Sequence, residues 1–223
     1  MDSHPSTDQL QSGHEFTLLK KLEFKEIKPF ILQIISRRNK LINFYILYQT
    51  VALAVLVALI AYHTYRAVTG DTYTKSYFIW LILGLFFSFT VLVVLHELMH
   101  ALAYYVLGKR QLKYGAEIKK FIFYVHAHLQ VVNRNEFIIV ALTPFVLVQL
   151  ICIPLIVYFW HLPVSIFFTV IFLAHALFCA GDFAMMSFVM QHRKQEMYTF
   201  DDSKNKTAYF YIKKADTPSG HQP

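Results

Sequence analysis

The chain has 223 residues, of which 56% are hydrophobic and only 16% are charged, and its formal net charge is +7. This composition excludes an ordinary soluble domain and is typical of one membrane domain with short polar ends. The positive residues gather in the polar segments between apolar runs, as in a protein oriented by a bilayer, so we predict no nucleic-acid partner. Cys152 and Cys179 lie within apolar runs, which favours two small core residues over a disulfide or a Cys-x-x-Cys metal site.

The N-terminal segment, residues 1–42, is predicted to be a polar arm. Its first thirteen residues lack the apolar core of a signal peptide and predict disorder. Residues 16–42 mix apolar and basic side chains, and Pro29 is placed to open a helix at its first turn. We therefore predict a short helix that lies on the membrane surface, and a poorly ordered basic leader is the alternative interpretation.

Four apolar runs predict four transmembrane helices, because each exceeds the roughly 20 residues that a helix needs to cross a bilayer core. They cover about residues 43–65, 77–107, 137–160 and 163–190. Tyrosine and tryptophan cluster at several of their ends, as at a membrane interface. The predicted fold is an all-α membrane protein of about four transmembrane helices, with residues 43–190 as its membrane domain.

The charge of the connecting segments predicts the orientation. Lysine and arginine are abundant before the first run, in the second loop and after the fourth run, and they are sparse in the first and third loops. The positive-inside rule then places both termini and the second loop in the cytosol. Residues 191–223 are predicted to be a cytosolic polar tail, mobile from Thr199 onward.

The second loop, residues 108–136, is long for a helix connection. Within residues 121–132, apolar and polar side chains alternate with a period of two, which predicts a short β-hairpin-like insertion near the membrane surface. His126 and His128 are one residue apart on this strand. We interpret them as part of the strand surface and not as a second metal site.

The sequence His96-Glu97-Leu98-Met99-His100 lies inside the second apolar run. Because helical positions four apart share a face, His96 and His100 can hold one zinc ion through their imidazole nitrogens. Glu97 is then placed to take a proton from a water at the metal. The alternative is a chance match with hydrogen-bonded histidines, but ionisable groups are costly inside a membrane, so a functional site is favoured.

A catalytic zinc ion usually has three protein ligands, and membrane depth suggests the third. At a rise of about 1.5 Å per residue, His100 lies about 10–12 Å and Asp182 about 12 Å from the cytosolic ends of their helices. We therefore predict Asp182 as the third ligand, although an acid that caps a helix or faces a water pocket is an alternative.

His175 lies two turns from Asp182, about 10 Å further out on a straight helix. That distance argues against both residues binding one metal. We interpret His175 as a polar partner in the cavity, as a stabiliser of an oxyanion, or as a hydrogen-bonded core histidine. Pro144 falls at a similar depth to the metal motif, and with Thr143 it is predicted to break the third helix and open backbone groups toward the cavity. A kink without function is the alternative.

The H-E-x-x-H motif in one span, the downstream intramembrane aspartate and the strand-like insertion between them resemble the site-2-protease-like intramembrane metalloproteases. The four-span layout, with a proline early in the third span and Gly181-Asp182 in the fourth, is most similar to a family of small bacterial membrane proteins described as putative zincin peptidases. The resemblance covers residues 77–190. One departure is that site-2 proteases usually carry the aspartate in an Asn-Pro-Asp-Gly or Leu-Asp-Gly setting.

The resemblance implies that His96, His100 and Asp182 bind Zn²⁺ and that Glu97 is the catalytic base. It also implies a location in the bacterial plasma membrane and an insertion whose edge pairs with an unwound substrate. The expected function is that of a zinc-dependent, membrane-embedded peptidase acting on a membrane or membrane-proximal protein or peptide.

Two other classes of function are considered. One is a non-catalytic metal-binding membrane protein, such as an immunity or regulatory partner, and the other is a metal transporter. A transporter predicts polar residues across the whole bilayer, whereas the polar groups of this chain concentrate toward one side. A purely structural site has no need of a base at Glu97.

Overall fold

A computed structural model describes residues 4–70, 74–117 and 122–214. The described chain is mostly helical, with two small antiparallel sheets. The helices are α1 Thr7–Gln11, α2 Phe24–Ser36, α3 Lys40–Val68, α4 Thr74–Phe87, α5 Val93–Val106, α6 Arg134–Tyr158, α7 Ser165–Phe178 and α8 Ala180–Gln191. The strands are β1 Phe16–Glu23, β2 Leu112–Glu117, β3 Ile122–Ala127, β4 Val132–Asn133, β5 Met197–Asp202 and β6 Thr207–Lys213.

Three helices are long and apolar enough to cross a membrane. They are Lys40–Val68, Ser76–Val106 and Arg134–Tyr158. The second of these joins α4 to α5 through a π-helical turn, Ser88–Leu92, which ends four residues before His96. Large apolar side chains such as Leu47 and Leu150 are more than 60% exposed on these helices, a pattern opposite to that of a soluble protein.

The fourth apolar run is broken, so the prediction of one continuous helix over residues 163–190 is wrong. Cys179 leaves helical geometry, with a ψ of 4°, and α7 and α8 are bent by 42° at this break. Taken together, α7 and α8 are apolar enough to count as one further candidate span. Asp182 lies in the first turn of α8 as a result of the break.

The two ends of the chain form a four-stranded sheet in the order β1-β6-β5-β4. Phe16 pairs with Lys213 in one ladder, and Val132 pairs with Thr199 in another. Phe210 on one face packs with Val189 of α8, among others. The other face packs against Leu10 of α1.

This sheet corrects three predictions for the described residues. The fold is not all-α, the polar arm contains α1 and β1, and the polar tail contains β5 and β6. The reason is that β1 and β6 stabilise each other although they lie at opposite ends of the sequence. The pattern of a single sequence does not reveal such distant partners. Residues 1–3 and 215–223 lie outside the described part.

The N-terminal helix begins earlier than predicted. α2 starts at Phe24 directly after β1, and its N-terminus is closed by reciprocal contacts of Glu23 and Glu26. Pro29 therefore lies in the second turn and not in the first. α2 packs against α8, where the rings of Phe30 and Phe188 are 5.2 Å apart.

Between α5 and α6, β2 pairs antiparallel with β3, and the four residues that link them are outside the described part. Gly115 lies opposite Tyr124 in this ladder. A side chain at Gly115 would overlap the Tyr124 ring, so glycine makes room for the ring here. β3 also packs against α5, which brings the small sheet beside the H-E-x-x-H helix.

Gly84 allows α4 and α7 to pack closely. A Cβ atom at this position would lie 3.1 Å from Val170 Cβ and 3.2 Å from the Phe167 carbonyl oxygen. Those contacts are tighter than ordinary side-chain packing allows, so Gly84 fixes the separation of the two helices. Gly181, in contrast, has room for a Cβ at 3.4 Å from Ile31.

Candidate metal centre

The helix α5 presents His96 and His100 on one face, and both side chains are buried. Their Nε2 atoms are 3.1 Å apart. The spacing of four residues along a helix brings the two rings one above the other. Both imidazoles therefore offer the same ring nitrogen to a single point.

Asp182 completes a group of three. Its Oδ2 lies 3.4 Å from His96 Nε2, and its Oδ1 lies 3.4 Å from His100 Nε2. The Oδ2 atom is buried without a hydrogen-bond partner, which is costly for a carboxylate unless a cation balances it. The position of Asp182 in the first turn of α8 adds a favourable interaction with the positive end of the helix dipole.

The three side chains fit a zinc ion. In tetrahedral zinc with bonds of about 2.0–2.1 Å, ligand atoms are about 3.3 Å apart. The measured separations of 3.1, 3.4 and 3.4 Å match this value. Two neutral imidazoles and one carboxylate are also a common donor set of catalytic zinc sites. The structure thus brings together His96, His100 and Asp182, the three residues singled out by the sequence.

His175 and Cys179 form a second group on the other side of His96. His175 Nε2 is 3.2 Å from His96 Nδ1, and Cys179 Sγ is 4.0 Å from the same atom. Both side chains are fully buried, and neither lines the cavity. His96 presents Nε2 to Asp182 and Nδ1 to His175. Asp182 is therefore placed to bind the same metal ion as His96, and His175 is placed to orient the His96 ring.

His100 is oriented in a similar way by α6. Its Nδ1 donates a hydrogen bond of 2.9 Å to the backbone carbonyl oxygen of Val140. A carbonyl oxygen only accepts, so the His100 proton is on Nδ1 and the Nε2 lone pair faces Asp182. α6 continues through Pro144 without interruption, so the predicted break at this residue is wrong.

A cavity of about 290 Å³ opens beside these side chains. Glu97 lines it together with His96, His100 and Asp182. The candidate base and the three candidate metal ligands therefore face the same cavity. Val125 of β3 lines the same cavity as Glu97. The remaining walls are mostly apolar and come from α2, α5, β3, α6, α7 and the four-stranded sheet. They include Leu22, Ile27, Tyr104, Tyr124, Phe137, Phe178, Phe200 and Phe210.

His126, which the sequence predicts to be part of a strand surface, lines the same cavity. Its Nδ1 is 3.1 Å from Asp201 Oδ2 on β5, and its ring stacks on Phe24 at 4.6 Å. Sequence alone offered no sign of this pair, because Asp201 comes from the segment predicted to be a mobile tail. His126 is thus a titratable cavity residue held by a strand from the far end of the chain.

Comparison with known proteins agrees with this geometry. No curated protein and no solved structure gave a significant match. Residues 89–197 match a family model described as "Putative zincin peptidase", and this segment contains the H-E-x-x-H helix, the small sheet, α6 and both halves of the broken α7–α8 pair. The match identifies the core of the chain as similar to a zincin-like, metal-dependent peptidase.

Proposed function

We propose that this protein is a zinc-dependent peptidase that works within the membrane, of the site-2-protease-like kind. The observation that carries the proposal is the approach of His96, His100 and Asp182 to within 3.1–3.4 Å beside the same cavity as Glu97. Three candidate spans, with the bent α7–α8 pair as a fourth, support a membrane location. The positive residues at both ends support a cytosolic location of the termini.

His96, His100 and Asp182 would hold the zinc ion. When bound, zinc supplies a Lewis acid that polarises the scissile carbonyl and makes water acidic enough to react near neutral pH. Glu97 accepts one proton from the attacking water as the water oxygen bonds to the carbonyl carbon. It then delivers that proton to the nitrogen as the carbon–nitrogen bond breaks, which leaves a carboxylic acid and an amine.

The substrate is proposed to be an extended, apolar segment of a membrane or membrane-proximal protein. A helical segment must unwind first, because its carbonyl groups are otherwise hydrogen-bonded and shielded. β3 packs against α5, and its Val125 lines the same cavity as Glu97. An unwound substrate would add to this edge of β3 as a further strand, and the aromatic cavity walls would accommodate its apolar side chains.

The test compares the wild-type protein with Glu97→Gln in membranes of a producing cell. New N-termini are labelled and identified by mass spectrometry, and zinc is quantified in the purified proteins. We expect about one zinc ion per chain in both and a set of new N-termini only with the wild type. Zinc in both with identical N-termini would favour the non-catalytic metal-binding protein, and zinc flux across proteoliposomes in both would favour the transporter.

A further inference from the structure

Pro144 frees the carbonyl group that orients His100. Inside an α-helix, the carbonyl of residue i accepts a hydrogen bond from the N–H of residue i+4. Residue 144 is proline, which has no N–H, so the Val140 carbonyl lacks its helical partner although α6 is continuous. That carbonyl instead accepts the 2.9 Å hydrogen bond from His100 Nδ1.

This hydrogen bond is buried, at the wall of the cavity that His100 and Val140 both line. Val140 is 6% exposed, and Pro144 is among the fully buried side chains. A carbonyl freed by proline at such a depth must find another donor, since an unpaired buried polar group is costly. The donor that it finds is the imidazole of a candidate metal ligand.

We propose that Pro144 is a positioning residue for the metal centre. By removing the N–H at position 144, it reserves the Val140 carbonyl for His100 and so fixes both the ring orientation and the Nδ1–H tautomer. His100 Nε2 is then held ready for the metal before the metal arrives. This inference rests on the proposed zinc site, because an oriented Nε2 lone pair has a purpose only if a cation binds there.

The chain provides a matched control. Pro154 is the second proline inside α6, and it frees the carbonyl of Leu150. The Leu150 side chain is 65% exposed and does not line the cavity. A general effect of proline on α6 should therefore affect both positions, whereas an effect on His100 should be specific to Pro144.

The experiment measures zinc affinity of the purified full chain in detergent by competition with a chromogenic chelator. In Pro144→Ala, the alanine N–H can take the Val140 carbonyl and leave His100 Nδ1 without its acceptor. We expect the zinc Kd to rise about 10–100-fold in Pro144→Ala, which is the range for a lost outer-shell partner of a metal ligand. In Pro154→Ala the zinc Kd should rise less than about threefold. Equal affinities of Pro144→Ala and wild type would overturn the proposal.

A backbone substitution separates the N–H from the ring. Lactic acid introduced at position 144 by nonsense suppression carries the methyl group of alanine but has an ester oxygen in place of the N–H. We expect this variant to recover most of the wild-type affinity. If it binds zinc as weakly as Pro144→Ala, lost packing of the ring explains the effect and the proposal is wrong. A wild-type protein that binds no zinc would refute the proposed function itself.

Discussion

His175 is placed to orient His96 for a metal ion, and the substitution His175→Leu tests this role. The imidazole of His175 is fully buried, and its Nε2 lies 3.2 Å from His96 Nδ1. For His96 to give its Nε2 lone pair to zinc, its proton must sit on Nδ1, and His175 is the acceptor of that proton. Leucine fills much of the same volume but accepts nothing.

The expected effect follows from one hydrogen bond. In the metal-free variant, His96 can move its proton to Nε2, where the lone pair of His100 Nε2 is 3.1 Å away. Zinc binding must then reverse this tautomer and leave the buried His96 Nδ1–H with only a weak acceptor, Cys179 Sγ at 4.0 Å. The net cost of such a change is about 1.5 kcal/mol, which corresponds to a rise of about tenfold in the zinc Kd.

The assay is the chelator competition described above, with two controls. His175→Gln retains a side-chain oxygen that can accept from His96 and should lose less affinity than His175→Leu. His63→Leu removes another buried histidine, which contacts Ser165 rather than the metal centre, and should bind zinc like the wild type. An unchanged Kd in His175→Leu would refute the orienting role, and a loss beyond about a thousandfold, far more than an outer-shell partner costs, would make His175 a ligand.

Three further predictions concern the base, the core and the helix packing. Glu97→Gln should keep the zinc affinity and lower turnover about 10²–10⁴-fold because an amide accepts no proton; cleavage at the wild-type rate would exclude Glu97 as the base. Phe210→Ala should lower the free energy of unfolding by about 3–5 kcal/mol, measured by thermal denaturation, since its ring is 1% exposed. Phe44→Ala, at a ring that is 57% exposed, is the control and should change little. Gly84→Leu should cost about 1–3 kcal/mol by separating α4 from α7, and a melting temperature equal to that of the wild type would contradict the tight packing at this glycine.

Much of the candidate site could be predicted from local spacing. The four-residue interval of the H-E-x-x-H motif and the helical rise along two apolar runs placed His100 and Asp182 at one depth, and the structure has their side chains 3.4 Å apart. The bend at Cys179 could not be predicted, because no proline marks it. His175 therefore approaches the metal group more closely than a straight helix allows.

The parts that the sequence did not predict depend on distant pairing. β1 lies in a segment that mixes apolar and basic residues, and nothing in this local pattern indicates a strand until β6 is known to lie beside it. β5 contains Thr199 and Phe200, which favour strands, but its two terminal aspartates and the polar turn after them favoured a mobile tail. The contact of His126 with Asp201 was hidden for the same reason, since it needs the register of β5 beside β3.

The order of strands also bears on when the cavity becomes complete during synthesis. β1 is among the first elements to leave the ribosome, but its hydrogen-bonding partner β6 is the last described element. Leu22 of β1, which walls the cavity from the N-terminal side, therefore lacks its paired strand until β6 has been translated. A nascent chain can bring His96, His100 and Asp182 together from its helices while the part of the wall formed by β1 and β6 is still missing. The cavity is complete only after the final strand is in place. A partly synthesised chain can therefore hold the three candidate ligands while it still lacks part of the cavity wall.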